Sequence, residues 1–212
     1  MSPRFAAAVD PVFEQVLGLL ERIEAGGGEP DPGTEQALIV SAIERAEATL
    51  GHSVDWVLAK FALIAWIDEV LIDNPWDGRN WWTRECLEVK YFKNRVAANR
   101  FYDDAKTAAA NGNRDALEVF YLAVVLGFRG FYHGNPSPQQ CETRDLPLSI
   151  GGWTRKTAAS IQLGQGLPPV FSQPEKGNGA PPLHGRFELL GALLWFIVLL
   201  FVTAILSWRL LP

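Results

Sequence analysis

The C-terminal end of the chain carries an apolar run that constrains the structure more than any other feature. The run LLGALLWFIVLLFVTAILSW, residues 189–208, holds twenty residues and no charge. Twenty helical residues span about 30 Å, the thickness of the hydrocarbon core of a bilayer. The alternative is a buried helix of a soluble domain, but such helices normally keep a polar stripe. We therefore predict one transmembrane helix over residues 188–208.

The flanks of the run predict its orientation. The N-terminus has no sustained apolar segment ahead of its acidic residues, so a cleaved signal peptide is not expected. Only residues 209–212 follow the run as a short tail. We therefore expect tail-first insertion, which leaves the N-terminal domain in the cytoplasm. Lys176 and Arg186 before the run, against Arg209 after it, agree with the positive-inside rule.

The rest of the chain divides into a folded domain and a linker. Residues 1–163 are enough for one compact domain with its own core. Residues 164–187 are rich in proline and glycine, which is typical of linkers. The net charge is −5 and no run of lysine and arginine occurs, so nucleic acid is not an expected partner. Two widely spaced cysteines fit a reducing compartment.

Helical periodicity recurs along the domain, and strand-like alternation is hard to find. Asp10 and Pro11 predict the start of the first helix. Thr34 predicts the start of the second helix, which ends before Gly51. The residues predicted to face inward are Leu38, Ile39, Ala42, Ile43, Ala46 and Leu50. Further helices are predicted over residues 81–92, 95–110, 116–126 (capped by Asp115) and, from a weaker pattern, 150–163. A loop is predicted over residues 134–147. The predicted fold class is all-α.

The helix predicted over residues 53–72 is apolar almost all round. Its charged residues are Asp55, Lys60, Asp68 and Glu69. A helix of this kind is normally surrounded by other helices, so we predict that it forms the centre of the bundle. The charges within it argue against a second transmembrane segment.

Asp68 and Glu69 are the best candidates for chemistry. Burial raises the pKa of a carboxyl group, and paired carboxylates can serve acid-base catalysis or hold a metal. Neighbouring residues on a helix point about 100° apart, however, so the pair does not converge on one atom. We expect one carboxylate to cap or pair inside the bundle and the other to face a groove. The three histidines share no metal-ligand spacing and no catalytic motif occurs, so we predict no enzyme activity, cofactor or metal.

Tryptophans surround the turn that follows the central helix. Trp76, Trp81 and Trp82 lie just after Pro75, and Trp66 precedes them within the helix. Tryptophans beside a proline turn usually pin a loop against a core. They are also enriched among the anchors of protein interfaces, so a partner-binding surface is the alternative.

Two blocks of the sequence resemble the pattern of a known protein family. The first is FALIAWIDEVL at residues 61–71, followed by NPW at residues 74–76, and the second is DALEVFYLAVVLGFRGFY at residues 115–132. Their order and composition resemble the DotU/TssL family (also called IcmH/DotU), whose members are inner-membrane subunits of type VI and type IVB secretion systems.

The resemblance implies a cytoplasmic helical domain of two small packed bundles, tethered to the bacterial inner membrane by one C-terminal helix. It implies a non-enzymatic subunit that binds a large TssM/IcmF-type membrane protein and a TssK-type baseplate protein, and self-association is possible. The family's acidic pair lies near a cleft, so partner binding is expected at Asp68, Glu69, Trp76 and Arg129. Structural roles are expected for the following residues: Pro75, Trp81, Asp115, Glu118, Gly127, Phe128 and Gly130.

The chain also departs from the family pattern. Arg129 stands where relatives usually have an acidic residue, so a contact made through that charge could be reversed. A glycine pair that relatives carry after the tryptophan is missing. The secretion subtype therefore stays open. Two alternatives from other classes are also open: an enzyme built on the helical bundle and held by the same anchor, and a generic membrane adaptor unrelated to secretion.

Overall fold

The computed structural model describes residues 1–26 and 30–164, and these residues contain helices and no strand. The all-α prediction is therefore confirmed for this part of the chain. Within it we number the α-helices as follows: α1 Pro3–Glu24, α2 Pro32–Leu50, α3 Val54–Asp73, α4 Arg79–Arg84, α5 Leu87–Phe92, α6 Ala97–Asn111, α7 Arg114–Val125, α8 Pro138–Thr143 and α9 Ile150–Gly164. A 3-10 helix, Gly130–Gly134, lies between α7 and α8.

The predicted transmembrane helix and short tail lie outside the described residues, as does the predicted linker beyond Gly164. Among the helices that are described, none is both long enough and apolar enough to cross a membrane.

Helix α1 begins eight residues earlier than predicted. Ser2 occupies the N-cap position, Pro3 is the first helical residue, and Pro11 lies exposed inside the helix. A proline in a helix interior costs about 3 kcal/mol. The buried Phe5 and Val9 extend the apolar face into the first turns, and their burial offsets this cost.

Helix α2 begins at Pro32, ahead of the start predicted at Thr34. Asp31 caps it, and the Asp31 carboxylate accepts a hydrogen bond from the Thr34 N–H at 2.8 Å. Gly51 ends the helix with a positive φ of 64°, as the sequence indicated. The prediction for Leu38 is wrong, because its side chain is 47% exposed. Ile39, Ala42, Ile43 and Ala46, which were also predicted to face inward, are buried, and Leu50 is half-buried. Leu38 differs from Ile39 because neighbouring helical positions point about 100° apart.

Helix α3 occupies the centre of the described domain, as predicted. Ser53 caps it by accepting a hydrogen bond from the Trp56 N–H. Residues from Phe61 to Asp68 are all buried, so this helix contacts neighbours on every side. It packs most extensively on α7 and also contacts α2, α4, α5 and α6.

The remaining elements refine the predicted order. The helix expected over 81–92 is two short helices, α4 and α5, and the loop expected over 134–147 contains α8. The weak pattern at 150–163 is confirmed as α9. Asp115 lies in the first turn of α7, while Asn113 holds its N-cap position.

The buried side chains of the described residues form one continuous hydrophobic cluster. Helices α1 and α2 pack against each other, and the ring of Phe13 on α1 lies 4.9 Å from that of Trp66 on α3. Helices α6 and α9 both pack on α7. The described helices therefore share one core, which runs through α3, and the two small bundles implied by the resemblance stay a prediction.

Candidate functional site

Asp68 is the buried member of the acidic pair. Its side chain is enclosed by α4 and α5, and its carboxylate accepts three hydrogen bonds. The donors are the Trp82 indole Nε1–H at 2.9 Å, the Leu87 N–H at 2.9 Å and the Glu88 N–H at 2.7 Å. Burial raises the pKa of Asp68 to about 6, although these three donors act in the opposite direction.

The two backbone donors of Asp68 belong to the first turn of α5, where N–H groups have no partner within the helix. Asp68 therefore caps α5 from a distance, in place of the Cys86 side chain that precedes the helix and makes no cap bond. Only 6% of Asp68 is exposed. Its carboxylate therefore faces α5 and not solvent, and any effect on a partner would act through the position of α4 and α5.

Glu69 performs a similar task on another face of α3, about 100° around the helix from Asp68. Its Oε1 accepts a hydrogen bond from the Arg129 N–H at 2.5 Å, and both carboxylate oxygens accept from the Gly130 N–H, at 3.0 and 3.1 Å. Burial raises the pKa of Glu69 above its usual value, against these two donors. The carboxylate thus holds the turn between α7 and the 3-10 helix while the residue stays partly accessible.

Two further carboxylates repeat this arrangement. Asp55 accepts from the Ala116 N–H at 3.2 Å and from the Asn113 side-chain amide at 3.0 Å, at the start of α7. Glu88 accepts from the Val96 and Ala97 N–H groups at 2.5 and 2.7 Å, at the start of α6. Nothing in the sequence had indicated these roles of Glu88 and Asp55. An acidic residue within a helix gives no sign of which later helix start it will meet.

The turn after α3 is organised by tryptophans. The Trp76 indole N–H donates to the Leu71 carbonyl at 2.7 Å, and its ring centroid lies 6.3 Å from that of Trp82. A Cβ on Gly78 would lie 2.2 Å from the Trp76 ring, so only glycine allows this packing. Trp81 also lies against Trp82, at 6.2 Å between centroids. The Trp76 side chain is half-buried and remains accessible.

The turn that carries Arg129 is tightly fixed. Phe128 is buried against Phe101, with ring centroids 4.0 Å apart. Gly130 has a positive φ of 49°, and a Cβ there would lie 2.7 Å from the Phe128 ring. The Arg129 carbonyl accepts a hydrogen bond from the Tyr102 hydroxyl at 2.7 Å. The exposed Arg129 side chain therefore projects from a backbone that is held on both sides.

Asp115 and Glu118 bind the start of the chain. The Ser2 N–H and hydroxyl each donate to the Asp115 carboxylate at 2.6 Å. Glu118 pairs with the amino group of Met1 and with the Arg114 guanidinium, the latter at 3.0 Å. Both residues thus attach α1 to α7. The sequence pattern had indicated a helix cap at Asp115 and did not predict this contact.

Glu69 also belongs to a small polar cluster with Asp73 and His133. One ligand atom from each of the three lies within 4.8 Å of the others, and His133 Nδ1 is 3.7 Å from the Asp73 carboxylate. The Asp73 and His133 side chains are 47% and 63% exposed. A divalent cation could contact such a group, but exposed carboxylates of this kind are common without one, and we assign none.

The predicted partner-binding residues therefore separate into two groups. Glu69 and Arg129 meet at one accessible place, the end of α7. Trp76 lies beside Trp82, whose indole binds the buried Asp68 carboxylate. Partner binding at these four positions stays a prediction.

The helical arrangement defines a class of fold that is also found in a solved structure. The chain is similar to the cytoplasmic domain of TssL from Acinetobacter baumannii, with a TM-score of 0.59 and 21% sequence identity. The match covers 76% of this chain and 98% of the TssL domain. At this level of identity the similarity concerns the fold. No curated protein matches the sequence.

The family follows from a second comparison. The family described as "Type VI secretion system protein DotU" matches residues 5–210, nearly the whole chain. The chain therefore belongs to the DotU family of type VI secretion proteins, and the resemblance found in the two sequence blocks is confirmed.

Proposed function

We propose that this protein is a tail-anchored subunit of the inner-membrane complex of a type VI-like secretion system, and that it works by binding rather than by catalysis. The observation that carries the proposal is the extent of the family match. Residues 5–210 include nearly all of the helical domain and the whole apolar run at residues 189–208. Family membership therefore extends to the segment proposed as the anchor.

The sequence of that run supports an inner-membrane location. Its uncharged length suits one bilayer crossing, and the charge distribution around it favours a cytoplasmic domain. The described residues bury one continuous hydrophobic core, as expected of a domain that folds in water.

The end of α7 is the surface that we propose for a soluble partner. Arg129 offers a guanidinium group with five N–H donors, which suits carboxylates of a partner. Because Glu69 and Tyr102 fix the Arg129 backbone, its side chain starts from a defined position. We propose a TssK-type baseplate protein as the partner here and a TssM/IcmF-type protein as the partner within the membrane. A second copy of this chain is a further candidate.

The hydrogen bonds of the acidic pair, Asp68 and Glu69, support a role in binding rather than in catalysis. Asp68 and Glu69 both accept hydrogen bonds from backbone N–H groups, so their oxygens are committed to holding α5 and the turn at Arg129. A general acid or base needs a free oxygen directed at a substrate. The two carboxylates therefore fit a structural role, in which they hold in place the segments that a partner would contact.

The proposal is tested with the tagged full chain in its own membranes. Extraction with detergent, affinity purification and identification of the associated chains should recover a TssM-type and a TssK-type protein. A matched control chain that ends at residue 187 should leave the membrane fraction and lose the TssM-type partner. Recovery of neither protein, from a chain that is membrane-bound, would favour a generic adaptor. Turnover of a substrate by the purified chain would favour the enzyme alternative.

A further inference from the structure

Positive charge is concentrated in one segment of this acidic protein. Residues 79–100, here called the basic segment, contain two acidic residues and a larger set of cations: Arg79, Arg84, Lys90, Lys93, Arg95 and Arg100. The segment therefore has a net charge of +4, whereas the other residues of the chain, with 13 cations and 22 acidic residues, have −9.

The fold keeps the basic segment together. It consists of α4, α5 and the first turn of α6. The Arg95 guanidinium donates to the Thr83 carbonyl at 2.6 Å, which brings the loop after α5 back to α4. Glu88 is buried against the start of α6, so Glu85 is the segment's exposed acidic residue. The cations thus belong to one compact region and not to an extended tail.

Most cations of the basic segment have no acidic partner in the described part of the chain. Arg100 pairs with Asp104 at 2.9 Å, but the other five, all exposed, form no ion pair with residues 1–26 or 30–164. Elsewhere in the same residues, five cations, on α1, α3, α6, α7 and after α8, lie within 4.0 Å of a carboxylate. The five that do not are spread along the chain: Arg4, Arg45, Arg129, Arg155 and Lys156. Within the described residues, the basic segment therefore holds the longest succession of cations without an acidic partner.

Apolar and aromatic groups lie among these cations. Val89 and Val96 are 36% and 39% exposed, and Trp81, Tyr91 and Phe92 are half-buried. Lysine and arginine combined with valine, tryptophan and tyrosine are typical of surfaces that lie at the headgroup level of an anionic bilayer. An acidic segment of another protein could also pair with these cations. The membrane is favoured because the proposed anchor keeps it close to the domain.

We propose that the basic segment docks on anionic phospholipid headgroups of the membrane that anchors the chain. This inference rests on the proposed tail anchor, which keeps the domain near the bilayer. Electrostatic attraction of exposed lysine and arginine acts within about a Debye length of the surface, roughly 8 Å at physiological salt. Docking would give the tethered domain a preferred orientation, with α4 and α5 toward the lipid.

The test uses the full chain in nanodiscs of phosphatidylcholine alone and of phosphatidylcholine mixed with phosphatidylglycerol. Amide hydrogen exchange is followed by mass spectrometry. We expect peptides from residues 79–100 to exchange several-fold more slowly in the anionic nanodiscs and to lose this protection at high salt. Exchange of peptides from α2 should be the same in both lipids.

Matched variants separate specific docking from general attraction. Arg84→Gln with Lys90→Gln removes two exposed cations from the basic segment and should abolish the protection. Arg45→Gln with Arg155→Gln removes two exposed cations elsewhere and should retain the protection.

Equal exchange in both lipids, in a chain that inserts into the nanodiscs, would overturn the inference of lipid docking without contradicting the membrane anchor. The inference would also be overturned if an added polyglutamate peptide slowed the exchange of residues 79–100 in neutral nanodiscs while phosphatidylglycerol did not. That result would favour an acidic protein partner. A chain that fails to enter nanodiscs would contradict the anchor and, with it, this inference.

Discussion

The Glu69 carboxylate accepts a hydrogen bond from the Gly130 N–H at 3.0 Å, although 61 positions separate the two residues. This bond joins the central helix to the turn that presents Arg129. Asp68, the next residue along the helix, makes the equivalent connection to α5. The acidic pair therefore fixes two different segments around α3, and each bond can be removed separately.

Asp68→Ala should destabilise the domain strongly. The substitution leaves the N–H groups of Trp82, Leu87 and Glu88 without their buried acceptor. Unsatisfied buried donors cost about 1–3 kcal/mol each, so we expect the free energy of unfolding to fall by about 3 kcal/mol or more. Urea denaturation of a fragment of residues 1–164 measures this. Asp77→Ala, at an exposed position, is the control and should change the value by less than about 0.5 kcal/mol.

The stability of the same fragment should depend on pH through Asp68. Its pKa is raised to about 6 in the folded protein, so the folded state binds the proton more tightly than the unfolded state does. The free energy of unfolding should therefore decrease as the pH rises from about 4 to about 6, by up to about 3 kcal/mol. Asp68→Asn removes this titration, and its profile should be flatter over that range. Identical slopes in the two proteins would contradict the assignment.

Gly130→Ala should loosen the turn that carries Arg129. Gly130 has a φ of 49°, and its added methyl group would overlap the Phe128 ring. A left-handed backbone costs a non-glycine residue about 1–2 kcal/mol, and the overlap adds to this, so a loss of about 2 kcal/mol or more is expected. Gly134→Ala is the matched control, because it ends the same 3-10 helix with no heavy atom within 4 Å. Equal midpoints of thermal unfolding for the two variants would refute the argument.

Gly78→Ala should displace the Trp76 side chain without unfolding the domain. The new Cβ would lie 2.2 Å from the present position of the Trp76 ring, so the ring must move and the bond from its indole N–H to the Leu71 carbonyl must break. We expect the Trp76 indole N–H signal to shift in the NMR spectrum and to exchange faster with water. Gly33→Ala has only ordinary contacts, at 3.4 Å or more, and should leave that signal unchanged.

The helices that could be predicted are those whose caps and apolar patterns lie within their own stretch of sequence. Helix α3 was predicted within about a residue because Ser53 is a local cap and the apolar residues are continuous. The start of α1 was missed because Pro11 suggested a helix start, while the distant packing of Phe5 and Val9 decided the outcome. Local propensity is a weak guide where tertiary burial outweighs it.

The candidate site was predictable in its residues but not in its geometry. The sequence indicated that one carboxylate would be used inside the bundle, and Asp68 is that residue. It could not indicate that Glu69 would bind the backbone at Arg129, because hydrogen bonds between elements depend on how the helices pack. The same reason applies to the contacts of Asp115 and Glu118 with the first two residues.

We propose that the fixed turn at Arg129 presents its side chain to a soluble partner of the secretion complex. Arg129→Glu tests it in the intact chain, because the backbone groups of Arg129 make the structural contacts and its side chain projects outward. Arg45→Glu, an exposed charge reversal on α2, is the control.

The measurement is the amount of TssK-type protein that co-purifies with each variant from membranes, normalised to the amount of this chain. Reversal at Arg129 should lower recovery by about tenfold or more, which corresponds to roughly 1.4 kcal/mol of binding free energy, and the Arg45 variant should match the unaltered protein. Unchanged recovery with Arg129→Glu, in a chain that remains folded and membrane-bound, would contradict the claim.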